Sequence, residues 1–187
     1  MTAPGFESLL SQAGKLEAGG LPPVHLWNPA YCGDIDIRIA RNGSWFHEGR
    51  PFQRDALVRL LSSILKREGD EYFLVSPVEK MRITVEDVPF LVVGMTEEPQ
   101  TAGAPVLLFR TLSRDLVRLD AEHPFRVVED AVSGEPRPYI SVRGGMEARI
   151  HRPVFYQLVE RGREVMLDGE PHLVVDSGGL QFDLGRL

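Results

Sequence analysis

The clearest pattern lies at residues 35–40, where Ile35, Ile37 and Ile39 alternate with Asp36 and Arg38. A period of two gathers the isoleucines on one face and predicts a half-buried strand. Asn42–Gly43 follows as a tight-turn signal, residues 44–47 return as a second strand, and residues 48–51 turn again. From residue 54 to 66 the period changes. Ala56, Leu57, Leu60, Leu61, Ile64 and Leu65 form one apolar stripe, which predicts a helix. Asp55 near its start and Lys66–Arg67 at its end suit the macrodipole. An earlier helix is expected at 6–18, with Phe6, Leu9, Leu10, Ala13 and Leu16 apolar and Gly19–Gly20 ending it. Leu21–Pro22–Pro23 then forces an extended exit into an irregular, aromatic-anchored stretch.

Further strands are predicted at 71–76, 82–86, 88–95, 106–112, 123–130 and 138–142. A second helix is expected at 152–161, with Pro153 in its first turn, and strands at 164–167, 172–176 and 180–184 close the chain. Asp168–Gly169 is a hairpin signal. The order strand, helix, strands occurs twice. Arg54 aligns with Arg152, Leu57 with Phe155 and Leu60 with Leu158. The expected fold is therefore α+β: two small lobes sharing a repeated strand–helix–strand motif, with mainly antiparallel sheets. Residues 1–24 are expected to form an N-terminal helix and linker, 25–95 the first domain and 96–187 the second.

Composition narrows the class of function. The 187 residues are 43% apolar and 26% charged, as in an ordinary globular protein. No stretch approaches the ~18 apolar residues of a membrane span. The N-terminus lacks the basic start and apolar core of a signal peptide. Cys32 is the only cysteine, which excludes an intramolecular disulfide. A cytoplasmic protein is expected. The net charge of −6 argues against a nucleic-acid partner. That charge is uneven: residues 35–68 carry seven basic and four acidic side chains, residues 69–130 six and twelve.

Candidate chemistry is sparse. Asp34 and Asp36 could share a cation, but no Asp cluster or phosphate loop supports them. Cys32, His25 and Asp34 are residue types of a nucleophilic triad, without a local signature; a partly buried core thiol is the simpler reading of Cys32. The five histidines have no metal-ligand spacing, and Gly144–Gly145 and Gly178–Gly179 read as turns. No catalytic residue, metal or cofactor is expected, and the balance is against an enzyme. The loop from Trp27 to Asp34 concentrates aromatics, and Glu79 and Lys80 follow Pro77 on a turn. A groove between the lobes is the expected binding site, with Trp27, Asn28, Cys32, Asp34, Trp45, Arg54, Glu79 and Lys80 as its residues. Alternatively, Arg54 bridges Asp34 or Glu79 and merely pins the loops.

Several of these segments form a family pattern. Trp27-Asn28-Pro29, Cys32-Gly33-Asp34-Ile35-Asp36-Ile37-Arg38-Ile39, Gly43-Ser44-Trp45-Phe46, Leu74-Val75-Ser76-Pro77-Val78-Glu79-Lys80 and Val85-Glu86-Asp87-Val88-Pro89-Phe90 resemble the bacterial family called domain of unknown function 1285. Pro51, Arg54 and Leu57-Val58-Arg59-Leu60 belong to the same pattern, as do Pro136-Arg137-Pro138-Tyr139 and Val142-Arg143. Asn42 and His47 depart from it, the latter where an aromatic is usual. The resemblance implies a two-domain α+β protein with a repeated motif and no assigned reaction or cofactor. The function expected is a non-catalytic binding or adaptor module in signalling or regulation, with another protein or a small ligand as partner and neither nucleic acid nor membrane. The competing reading is a small-molecule sensor or hydrolase, in which Cys32, Asp34, His25 and Glu79 share a cleft between the lobes.

Overall fold

A computed structural model describes residues 4–16 and 20–187. The chain divides into two compact units, one ending at Pro89 and the other running from Phe90 to Leu187. Each is α+β with mostly antiparallel pairing. Among the described residues no helix is long and apolar enough to cross a membrane.

In the first unit, helix α1 (Pro4–Leu16) precedes a single 3-10 turn at Val24–Leu26. The predicted end of α1 at 17–19 lies outside the described residues. Strands β1 (Tyr31–Ile39), β2 (Trp45–His47) and β3 (Arg50–Pro51) form one meander; β4 (Leu65–Glu68), β5 (Glu71–Val75) and β6 (Lys80–Val85) form another. β1 and β6 pair in parallel, giving one sheet in the order β3-β2-β1-β6-β5-β4. Ile35, Ile37 and Ile39 point into the core with Leu74, Met81 and Ile83, as the alternation requires. Phe6, Leu9 and Ala13 of α1, and Leu61 of α2 (Asp55–Ser63), belong to the same core.

Helix α2 is shorter than its apolar stripe predicts. It stops at Ser63, and Leu65 to Glu68 become β4. The hydroxyls of Ser62 and Ser63 donate to the carbonyls of Val58 and Leu60, at 2.8 and 2.7 Å, and compete for the last turn. Leu65 is buried in either state, so a helical stripe and a strand read alike here. Lys66 and Arg67 therefore stand on a strand rather than at a helix C-terminus.

The second unit repeats the wiring. β7 (Phe90–Glu98), β8 (Val106–Thr111) and β9 (Leu116–Arg118) form one meander, and β10 (Phe125–Glu129), β11 (Pro136–Arg143) and β12 (Met146–Ile150) the other. β7 and β12 pair in parallel, so the order β10-β11-β12-β7-β8-β9 is that of the first sheet read from its other edge. Helix α3 (Arg152–Arg161) then leads into a separate three-stranded sheet, β13 (Arg163–Leu167), β14 (Glu170–Ser177) and β15 (Leu180–Arg186). A strand–helix–strand order occurs in each unit, as β3-α2-β4 and β12-α3-β13, but at different points of the shared wiring: α2 joins the two meanders of its sheet, and α3 follows the second meander of its own. The strands after the helix join the large sheet only in the first unit. Gly144–Gly145 and Asp168–Gly169 adopt positive φ at both positions, as tight hairpins demand.

Candidate functional site

The outer face of the first sheet is built around Phe73. Pairing sets Phe73 opposite Lys66 on β4 and Arg82 on β6, and Arg82 opposite Asp34 on β1. Phe73 is an aromatic on the side of the sheet away from the isoleucines, yet only 5% exposed. Its neighbours roof it. Tyr31 meets its ring edge-on at 6.3 Å, and the Lys80 ammonium lies 5.1 Å from its centroid.

The charged groups of this face satisfy one another. Arg82 donates to both oxygens of Asp34, at 2.8 and 2.9 Å, and to Glu71 at 2.5 Å. The Tyr31 hydroxyl donates to the same Asp34 carboxylate. Lys80 crosses Phe73 to reach Glu68 at 2.8 Å, and Lys66 reaches it at 3.2 Å. Lys66 also donates to the Trp27 carbonyl at 2.7 Å, which ties the loop before β1 to the sheet. Bonds from Arg82, then Tyr31, hold the Asp34 carboxyl below the usual aspartate range. Lys80, with Lys66 behind it, does the same for Glu68, though partial burial opposes it. The bond to Asp34 pushes the Tyr31 phenol up. At neutral pH the Asp34 and Glu68 carboxylates are therefore ionised and held by their cations.

The structure gathers some of the expected residues and separates others. Trp27, Asp34 and Lys80 meet at this face. Asn28 is exposed in the loop beside Trp27. Trp45 is a core residue, 4% exposed, because its pairing with Ile39 turns the indole inward; it offers no contact surface. Cys32 is exposed rather than a core thiol, and its Sγ lies 3.3 Å from the Ala30 carbonyl. It stands at the start of β1, between the exposed Tyr31 and the half-buried Gly33, where the buried alternation of the isoleucines has not begun. Glu79 accepts from Gln12 of α1 at 3.3 Å. Arg54 bridges neither Asp34 nor Glu79. It is exposed at the start of α2, beyond the β3 edge and three strands from Lys80 in the sheet order. Among the described residues no hydrogen bond joins Cys32, His25, Asp34 and Glu79 to one another. No group of three or more His, Cys, Asp and Glu among the described residues is arranged to hold a metal ion.

Sequence reasoning missed Lys66, Phe73, Glu68 and Arg82 as parts of this face. For Lys66 and Glu68 the signal was the alternation in 65–68, hidden by the helical reading; Phe73 and Arg82 lay on predicted strands, and their shared face follows only from the β5–β6 pairing. It also missed a concavity of about 350 Å³ beside Arg54, lined by His47, Glu48, Arg50, Pro51, Phe52, Gln53 and Leu57. His47 there fills the aromatic place that the family pattern leads one to expect. Its ring packs 4.5 Å from Phe6 and stacks on Phe52 at 6.0 Å.

Comparison with known proteins gives one consistent result. Residues 22–88 match the family described as "Domain of unknown function (DUF1285), N-terminal domain", and residues 89–184 match "Protein of unknown function (DUF1285), C-terminal domain". The chain is similar to the crystal structure of a DUF1285 family protein from Silicibacter pomeroyi DSS-3, at 44% identity and a TM-score of 0.84, over 96% of this chain and 95% of that one. It is also similar to a DUF1285 family protein from Shewanella baltica OS155, at 28% identity and a TM-score of 0.55, over 66% of this chain and 90% of that one. A search of the curated proteins found no match. With both family domains matched in order along the two units, the chain belongs to the DUF1285 family, a family of unknown function.

Proposed function

We propose that this chain is a non-catalytic binding module, of the adaptor kind used in signalling or regulation, and that it docks a protein partner on the loop-covered face of its first sheet. The observation that carries this reading is the mutual pairing of Asp34, Arg82, Glu71, Glu68, Lys80 and Lys66. Groups that neutralise each other hold a surface in shape; they are not poised to attack a substrate. The same pairing leaves large apolar side chains outside. Leu26 is 72% exposed, Tyr31 52% and Val78 65%. Leu26 precedes the anchored Trp27 carbonyl, Tyr31 pairs with Lys80, and Val78 lies two residues before that lysine. An apolar surface on a pinned backbone loses little entropy when a partner covers it. The unpaired single cysteine fits a cytoplasmic setting.

The test is capture from native lysate by the wild-type chain and by a Leu26→Asp/Val78→Asp variant. Both positions are exposed, so the variant keeps the wild-type melting temperature. The expected result is a protein enriched by the wild type and lost from the variant. Identical enrichment by both chains refutes the proposed face. A second reading, a small-ligand sensor, is favoured by the separate concavity beside Arg54.

A further inference from the structure

We infer that the concavity at the β2–β3 edge of the first sheet is a binding site for a small dicarboxylate, held by Arg50 and Arg54. The inference does not rest on the docking face, which lies on other residues. Three observations converge on it. The concavity measures about 350 Å³, within the range of small-molecule sites. Both arginines line it and are exposed, and among the described residues neither has a carboxylate within ion-pair distance. Most other arginines of the chain hold a carboxylate: Arg38 with Glu86, Arg82 with Asp34, Arg126 with Glu147, Arg163 with Asp176. In this hollow two guanidiniums without a carboxylate partner among the described residues stand together, in a chain of net charge −6.

A hollow in the second unit, at a different point of the shared wiring, shows comparable chemistry. Arg152 stands at the start of α3 and lines a smaller hollow of about 110 Å³ with Phe155. There the guanidinium is already taken: Arg152 holds the carboxylate of Glu135, a lining residue of the same hollow. The first unit has the arginine and a larger space, with no carboxylate paired to it. A planar guanidinium takes a carboxylate through two parallel bonds, and two guanidiniums suit two carboxylates. The His47–Phe52 stack and Leu57 offer an apolar wall for the carbons between them. Glu48 shares the hollow and opposes an anion, so it sets a limit on affinity.

The experiment is a titration of the full chain with succinate, followed by amide NMR, at constant ionic strength. Acetate and inorganic phosphate serve as comparison anions. Succinate is expected to give saturable shifts confined to residues 47–57, with acetate much weaker. Arg50→Gln/Arg54→Gln is expected to melt no lower than the wild type and to weaken succinate at least about tenfold, the scale of losing charge-assisted hydrogen bonds. Glu48→Gln is expected to tighten it. Shifts that do not saturate or that spread beyond residues 47–57 overturn the site. Phosphate binding as tightly as succinate overturns the ligand class. An unchanged response in the double arginine variant, or no gain in Glu48→Gln, overturns the assignment of these residues.

Discussion

Phe73 is the residue on which the outer face depends. It is buried on the side of the sheet where a solvent-facing residue is the rule, because Tyr31 and Lys80 cover it. Phe73→Ala removes that centre, and a loss of about 3–5 kcal/mol is expected from chemical denaturation. A loss below about 1 kcal/mol, the level of an ordinary surface change, contradicts the packing described. The carboxylates around it set a pH dependence. Asp34 and Glu68 have lowered pKa values when folded, so their pairing stabilises fully above the ordinary carboxylate range and is lost as pH falls through the depressed values. Side-chain NMR of Asp34 is expected to show a midpoint below the ~3.9 of a free aspartate. A midpoint at or above that value shows that Arg82 does not hold it. Cys32 shows how the sequence misleads at this scale. A free cysteine beside a strand reads as core, but only its exact offset from the first inward isoleucine tells which side of the boundary it falls on.

At the scale of elements, most strands and α3 were legible because their periods are strong, whereas the short β3, which reads as a turn, and β9 were not. Helix 152–161 has the bounds read from its apolar positions. Leu65–Glu68 was not legible as a strand, since its inward leucine also continues the helical stripe of α2. The strand Met146–Ile150 was missed although Met146, Ala148 and Ile150 alternate cleanly, because the double-glycine turn reads as leading straight into the helix. Helix α2 begins on Arg54, with no side chain capping it. A cation there opposes the macrodipole, whereas serine supplies the missing acceptor. Arg54→Ser is therefore expected to raise stability by about 1 kcal/mol while weakening the proposed dicarboxylate site. Unchanged or lower stability, measured by thermal melting, contradicts the view that Arg54 is kept at a cost to the helix. In the second unit the small sheet is tied to the large one by Ser177. Its buried hydroxyl donates to the Leu119 carbonyl at 2.7 Å and accepts from the Leu107 amide at 2.9 Å. Ser177→Ala strands both groups, and a loss of about 1–3 kcal/mol is expected from denaturant melts. Full retention of stability shows that the tie is dispensable.

For the whole molecule, two sheets with the same order and one central parallel pair share a wiring that no local pattern reveals. The sequence shows that Ile35, Ile37 and Ile39 are inward, but not that β1 meets β6 or that β7 meets β12, because parallel pairing joins strands far apart in the chain. The same distance kept Arg82 from being linked with Asp34, although both residues were in plain view. The division of labour follows from where paired and unpaired charges fall in the first unit. The Phe73 face is held by its own ion pairs, and the α2 hollow holds Arg50 and Arg54, which among the described residues have no carboxylate within ion-pair distance. The central claim is that the first of these docks a protein partner. A photo-crosslinking amino acid introduced at Val78 tests it most directly, with Val132, which is 97% exposed in the second unit, as the reference position. The account predicts a discrete crosslinked species from position 78 and none from position 132 when the chain is irradiated in native lysate. No crosslink from position 78, or the same species from both positions, contradicts it.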